Sequence, residues 1–293
     1  VLEVNSPLAR EKEEHDGIFF RRVTRSIERR LCTRADVTIA VTGVLARILE
    51  ADGVPAGKVV VMPNGVRREL GSGVTPEAGL RFRRSLGVRD DVPVAGFVGW
   101  FRAWHGLERL IEAAASPQWR EADVHLVLAG DGPAASALRE RRDTLGLQDR
   151  VVLTGAVPRG EIEAALASFD VAVQPAVTSY ACPMKILEYM AAGRAIVAPG
   201  SDNVRELLTD GETALLCPGD TTEPSMEDLR DGVMGLVRDL HMRKRLGEAA
   251  RRKIFEQGWL WEENARRVEE LVEAARPRGG AFVTAANREV RSC

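Results

Sequence analysis

Lys185 and Glu188 stand three residues apart in the segment Asp170–Gly200, DVAVQPAVTSYACPMKILEYMAAGRAIVAPG, and could act on one ligand. Asp170–Gln174 is Val-rich, bounded by Pro175, and reads as a short buried strand. A loop, Ala176–Cys182, leads to a helix opening at Pro183, where proline leaves no N–H unpaired. Gly193 can adopt the left-handed C-terminal cap, and Arg194–Ala198 starts a second apolar strand. Strand, loop, helix and strand form the unit of a parallel sheet. The helix N-terminus turns backbone N–H groups and the positive end of its dipole toward the loop, which suits an anion. Lys185 adds a full positive charge in the first turn, and the Glu188 carboxylate, one turn on, could accept two sugar hydroxyls. A plainer reading is also open. A helical wheel puts Met184, Ile186, Leu187, Met190 and Ala191 on the apolar face, with Lys185, Glu188 and Tyr189 opposite. Glu188 would then be a solvated partner of Lys185, worth about 0.2–0.5 kcal/mol. Pattern alone leaves both readings standing.

The elements around this stretch alternate. Strands are predicted at Val94–Gly99, Val124–Ala129, Val151–Thr154, Val171–Gln174, Ala195–Ala198 and Ala214–Cys217. Helices are predicted between them at Gly106–Ala115, Ala134–Leu145, Arg159–Ser168, Pro183–Ala192 and Val204–Leu208. That order predicts an α/β fold with a doubly wound parallel sheet. Further helices are expected at Met226–Leu240, Met242–Glu256 and Trp259–Ala275, the last with Leu260, Ala265, Val268, Leu271 and Val272 on one side.

Before it, only three strands are expected: Val1–Val4, Val37–Val41 and Lys58–Met62. Asn5–Asp16 reads as a polar loop whose Glu11, Glu13, Glu14, His15 and Asp16 are a solvated charge run rather than a metal site. Ile18–Arg34 has helical spacing in Ile18, Val23, Ile27 and Leu31, and Thr42 or Gly43 opens a helix ending near Gly53. Asn64 and Gly65 read as turn residues, with Gly65 permitting positive φ. Arg67–Glu77 reads as a linker and Arg81–Leu86 as a short helix. The expected division is a partial domain 1–66, a linker 67–78, a complete domain 79–258, a crossover helix 259–276 and a disordered tail 277–293. Half a sheet would leave an unpaired edge, so the sequence reads as N-terminally truncated or as half of a split protein.

Composition excludes several classes. The 293 residues are 45% hydrophobic and 29% charged, ordinary for a globular protein of about two domains. A net charge of −2 gives no reason to expect nucleic-acid binding. Cys32, Cys182, Cys217 and Cys293 have no metal-ligand spacing and fit a reducing, cytoplasmic setting; Cys182 reads as structural filler. No apolar run is long enough to span a membrane, which leaves peripheral membrane contact open. No Gly-rich fingerprint follows a strand, which opposes a nicotinamide-dependent oxidoreductase.

Glu188-Tyr-Met-Ala-Ala-Gly193-Arg-Ala-Ile-Val-Ala-Pro199 resembles the donor-site signature of the retaining glycosyltransferases of family 4, the glycosyl transferases group 1 class. That signature has an acidic residue eight positions before its Glu, where this chain has Tyr180. Cys182-Pro183-Met184-Lys185 resembles a Ser-Pro-Leu-Lys variant, and Pro63-Asn64-Gly65-Val66 resembles "PNGVD" with Arg67 in place of Asp. Phe97-Val98-Gly99 with His105-Gly106, Leu126–Pro133, Val152–Pro158 and Asn203–Gly211 match further segments in order, so the resemblance spans residues 1–276.

The resemblance implies a GT-B fold and sugar transfer from a UDP-sugar or GDP-sugar to a sugar, lipid-linked or other hydroxyl acceptor, with retention, in polysaccharide or glycoconjugate synthesis. It implies no metal and no resident cofactor; no Asp-x-Asp is present. The turn Pro183–Lys185 would hold the diphosphate, Glu188 the ribose, and the backbone around Gly155–Val157 the base. Gly99, Tyr180 and Cys182 would line the same site. The family's Arg after Gly and Lys before Gly are here Trp100 and His105. Arg102 and a cationic His105 would replace them, with Lys185, as the catalytic groups; otherwise Trp100–His105 is a loop packed by its aromatics. His125 reads as structural, and Glu206 as facing either the sugar end or the surface. The alternative to an enzyme is a non-catalytic nucleotide-sugar-binding half or subunit.

Overall fold

Short apolar runs become the strands of two parallel sheets, and those at the centre of the larger sheet are buried from both faces. The structure, a computed structural model, describes residues 1–15, 17 and 20–275. The tail expected to be disordered, like Asp16, Ile18 and Phe19, lies outside the described residues.

The first sheet has the order β1 (Leu2–Val4), β2 (Thr38–Ala40), β3 (Val59–Val61). Its helices are α1 (Leu8–His15), α2 (Arg21–Arg34) and α3 (Gly43–Ala51). Helix α4 (Pro76–Ser85) leads into the second sheet. Its strands are β4 (Val94–Val98), β5 (His125–Ala129), β6 (Val151–Leu153), β7 (Val171–Val173), β8 (Ala195–Ala198) and β9 (Leu215–Leu216). They lie in the order β6-β5-β4-β7-β8-β9, all parallel. Between and after them come α5 (Leu107–Ala114), α6 (Pro117–Glu121), α7 (Ala135–Thr144), α8 (Ile162–Ala167), α9 (Met184–Ala191) and α10 (Asp202–Arg205). Helices α11 (Met226–Arg238), α12 (Leu240–Glu256) and α13 (Trp261–Ala275) complete the chain. The doubly wound sheet with a smaller parallel sheet before it is as expected. Among the described residues no helix is long and apolar enough to cross a membrane.

Several expectations are corrected. Residues 8–15 are helical rather than loop: the Pro7 carbonyl accepts from the Arg10 and Glu11 N–H groups, and Ala9 is buried. Good helix formers with few apolar residues leave no period to detect. The side chains of Glu13, Glu14 and His15 lie outside the described set. Helix α4 starts inside the expected linker, because the Thr75 hydroxyl accepts from the Ala78 N–H and Pro76 occupies the first turn. Helix α6 was not expected; Ser116 caps it, and the Trp119 indole is buried with its N–H on the Val124 carbonyl. Val23, Ile27 and Leu31, the periodic apolar residues of α2, are exposed.

On α13, Val272 is exposed, and the buried anchor is polar: Asn264 donates to the Pro63 carbonyl at 2.8 Å. Beside it Val66 bridges Leu260 in parallel, with Val66 N–H on the Trp259 carbonyl and Trp261 N–H on the Val66 carbonyl. Gly65 is required there by close approach, not by positive φ, since a Cβ would stand 2.6 Å from the Leu260 carbonyl carbon.

Beneath β4 and β7 a buried ion pair ties the sheet to α4. Arg83 donates to the carbonyls of Ser168 and Val92 and pairs with Asp170 at 2.8 Å. Asp170 also accepts from the Val94 N–H. Removing one member leaves the other charge buried, which costs about 3–5 kcal/mol. Asp170→Ala should therefore lose about that much in urea unfolding, and adding Arg83→Met should recover part of it.

Candidate functional site

The second sheet leaves β4 in two directions. From β4 the chain goes to β5 and β6 on one side, then crosses to β7, β8 and β9 on the other. The loops leaving β4 and β7 therefore part, and ligands bind in the crevice so formed outside the carboxyl ends of the strands. Those loops are Gly99–Gly106 and Gln174–Pro183, both named from sequence.

They bring His105 and Lys185 together, with Nε2 of the imidazole 3.3 Å from Nζ of the ammonium. Phe97 lies beneath both, its ring centroid 5.3 Å from Nζ and 5.4 Å from the His105 ring. The Lys185 stem crosses Gly99, where a Cβ would come within 2.5 Å of Cε and where φ is +146°. Gly130 packs as closely behind, so neither position accepts a side chain. Among the described residues no carboxylate pairs with Lys185, whose pKa burial lowers and Glu188 partly restores. His105 is held to about 3, first by burial and then by the charges of Lys185 and Arg102. Both effects favour the neutral ring. The Arg102 N–H lies 3.3 Å from Nδ1 and the Lys185 ammonium 3.3 Å from Nε2; both are donors, and a neutral ring accepts only one of them, since its other nitrogen carries the proton.

Arg102 itself stays out of this contact: it is exposed, with its guanidinium 5.3 Å from the Trp104 ring centroid. Pro183 is the N-cap of α9 rather than its first residue, and Met184 and Lys185 form the first turn. Glu188 is half-buried; burial raises its pKa, opposed by Lys185 and Arg67. It opens on a cavity of about 280 Å³ lined also by Met184, Arg67, Leu70, Arg159 and Trp261. Tyr189, placed on the polar face from sequence, is wholly buried, and its phenolic oxygen accepts from the Val98 N–H.

The β6 loop adds Gly155, at φ +74° and bridged to Gly130, while the Thr154 hydroxyl accepts from Gly130 N–H and donates to the Gly155 carbonyl. Val157 is half-buried against the core. Cys182 is buried and its thiol pushed up to about 12, which fits filler.

Sequence reasoning missed what fixes the β7 loop. The Thr42 hydroxyl donates to the Tyr180 carbonyl at 2.7 Å, and the Asn64 amide donates to the Cys182 carbonyl at 3.2 Å. Asn203 donates to the carbonyls of Thr178 and Ala181. Glu206 is half-buried: its carboxylate accepts from the Gly43 and Val44 N–H groups at 2.7 and 3.0 Å, capping α3. The N-cap of α3 was legible from Thr42; its distant carboxylate carried no local signal.

The comparisons with known proteins follow this geometry. The Anabaena Alr3699/HepE chain, solved with UDP, superposes with a TM-score of 0.77 at 21% identity, over 93% of this chain and 71% of that one. The shared fold is GT-B. The family profile described as Glycosyl transferases group 1 matches residues 92–237, and that of Glycosyltransferase Family 4 matches residues 7–70. The chain belongs to this glycosyltransferase family. It is 35% identical to the alpha-D-kanosaminyltransferase of Streptomyces kanamyceticus over 59% of this chain and 43% of that protein. It is 32% identical to the GDP-mannose-dependent alpha-mannosyltransferase of Mycobacterium tuberculosis over 79% of this chain and 55% of that protein. The chain thus spans about half the length of these curated relatives.

Two outcomes are expected. Glu206→Ala removes an acceptor for two N–H groups at a helix end and should lower stability by about 1–2 kcal/mol in urea unfolding. For His105 the folded pKa, about 3, lies below the ordinary 6.5. Between those values the unfolded chain binds the extra proton, so this contribution to stability is complete above pH 6.5 and is lost as the pH falls toward 3. Melting temperatures followed from pH 7 down to about 4.5 should fall less steeply for His105→Gln than for the wild type; equal slopes would exclude a neutral His105.

Proposed function

We propose that the crevice binds a nucleoside-diphosphate sugar and that the protein transfers its sugar to an acceptor hydroxyl with retention and without a divalent metal, in glycoconjugate or polysaccharide synthesis. One observation carries this reading: His105 Nε2 and Lys185 Nζ come within 3.3 Å at the first turn of α9, and among the described residues no carboxylate pairs with either. As the nucleoside diphosphate leaves, negative charge collects on its phosphates, and donors already in place stabilise it without reorganising. Lys185, the His105 ring and the α9 dipole supply the polar environment and positive potential that a metal would otherwise supply. Glu188, one turn further on, takes the ribose diol, and the Gly155–Val157 backbone takes the base. A proton taken up by His105 as the anion arrives would add a second full charge. Relatives named as GDP-mannose-dependent favour a GDP-sugar, whereas the UDP-bound structural neighbour leaves uridine in play. The chain's span of its relatives supports a second reading, a nucleotide-sugar-binding unit that needs further residues for transfer.

Thermal shift against UDP, GDP and ADP, with and without EDTA, tests the site. A ligand at a hundred times its Kd stabilises by about 2.7 kcal/mol. One diphosphate should shift the melt, and EDTA should leave the shift intact. Lys185→Ala should weaken that diphosphate by about 10- to 100-fold, the loss of a charge-assisted hydrogen bond, while scarcely changing the nucleoside. Glu188→Ala should weaken both. Equal losses of diphosphate and nucleoside in Lys185→Ala would remove Lys185 from the phosphates. Sugar release from the nucleotide separates the two readings: binding without release supports the second.

A further inference from the structure

Trp100 occupies a place that the donor site, as read above, does not use. It follows Gly99 at the end of β4, where an arginine was expected from resemblance. Its indole is 56% exposed, and that of Trp104, four residues on, is 39% exposed. Neither exposure comes from a loose loop. Gly99 N–H bonds the Ala129 carbonyl at 2.9 Å, and Phe101 N–H bonds the Asp131 carbonyl at 2.6 Å, so the backbone is held on both sides of Trp100. Phe101 is wholly buried, its carbonyl accepts from Ala134 N–H, and Gly132 lies too close to its backbone to carry a Cβ. Two residues on from Trp100, the Arg102 N–H lies 3.3 Å from His105 Nδ1, which joins this loop to the His105–Lys185 pair. Trp104 stands edge-on to His105 at 6.1 Å between centroids, under the Arg102 guanidinium. A fixed, exposed aromatic surface rimmed by polar donors is the usual form of a ligand-binding face.

We propose that Trp100, with Trp104, is a stacking surface for a pyranose ring. This rests on the donor-site reading for the position of the phosphates. A pyranose presents a face of weakly positive C–H groups that suits the negative face of an indole, and a rim of hydroxyls for Arg102 and His105. A nucleobase would also stack on an indole, but the Glu188 cavity is lined from α8, α9, the segment 66–70 and Trp261, and by no residue of the Gly99–Gly106 loop. The ring has two sources, the transferred sugar or a sugar of the acceptor.

Fluorine NMR of the full chain carrying 5-fluorotryptophan tests this, with Trp100→Phe and Trp104→Phe assigning their signals. The probes are GDP, UDP, GDP-mannose, UDP-glucose and the methyl α-pyranosides of mannose and glucose. The Trp100 signal should move with a pyranoside or a nucleotide sugar and stay put with GDP or UDP. Trp100→Ala should weaken the same ligand about tenfold while its GDP and UDP affinities and its melting temperature stay at wild-type values. Movement with a free pyranoside assigns the acceptor as source; movement with nucleotide sugar alone assigns the transferred sugar. No movement with any sugar, or equal movement with GDP or UDP alone, overturns the proposal. If Lys185→Ala leaves nucleotide affinity unchanged, the donor-site reading fails, while a pyranoside-driven shift at Trp100 would still stand.

Discussion

The adjacency of β4 and β7 is the constraint on which the crevice depends. Because these two parallel strands are neighbours while their connections run to opposite edges, their loops part where they leave the sheet. Each loop must then find its own support. The β4 loop finds it in the backbone of Gly130–Gly132 through glycines that let three main chains touch. The β7 loop finds it mostly in side-chain amides and hydroxyls. What results is a cleft with a rigid floor, Phe97, and with Lys185 and His105 held over it.

Electrostatics there follow from burial more than from pairing. His105, Lys185 and Glu188 are each pushed toward the neutral form first by loss of water, with neighbouring charges acting second. Such groups are poised to respond to an arriving anion, since its charge favours both cations and takes the place of the missing solvent. The Arg83–Asp170 pair beneath the sheet is different in kind. Its hydrogen bonds are complete within the protein, and it holds structure rather than waiting for a partner.

Much of this was legible in the sequence because buried parallel strands are nearly continuous apolar runs. All six strands of the larger sheet fall where Val- and Ala-rich segments alternate with helical spacing. Lys185, Glu188 and His105 were legible from their neighbours in the chain. What was not legible depends on partners far away in sequence. Tyr189 turns inward because its hydroxyl meets the Val98 N–H, 91 positions back, and Glu206 turns toward Gly43, 163 positions back. Gly65 is a glycine because of the Leu260 backbone. Helix α1 escaped notice for a different reason: its charged residues favour helix intrinsically but mark no face.

The parallel bridge between Val66 and Leu260 places the chain's two passages between the sheets side by side. Two segments fastened to each other there make that line the natural pivot between the sheets. The Glu206 cap on α3 and the Thr42 bond to Tyr180 span the same divide. Swinging the sheets apart must undo them, stripping α3 of its cap and the β7 loop of one support in the same movement. Opening the cleft and loosening its wall are thus one event, and a molecule seated against that wall would resist both.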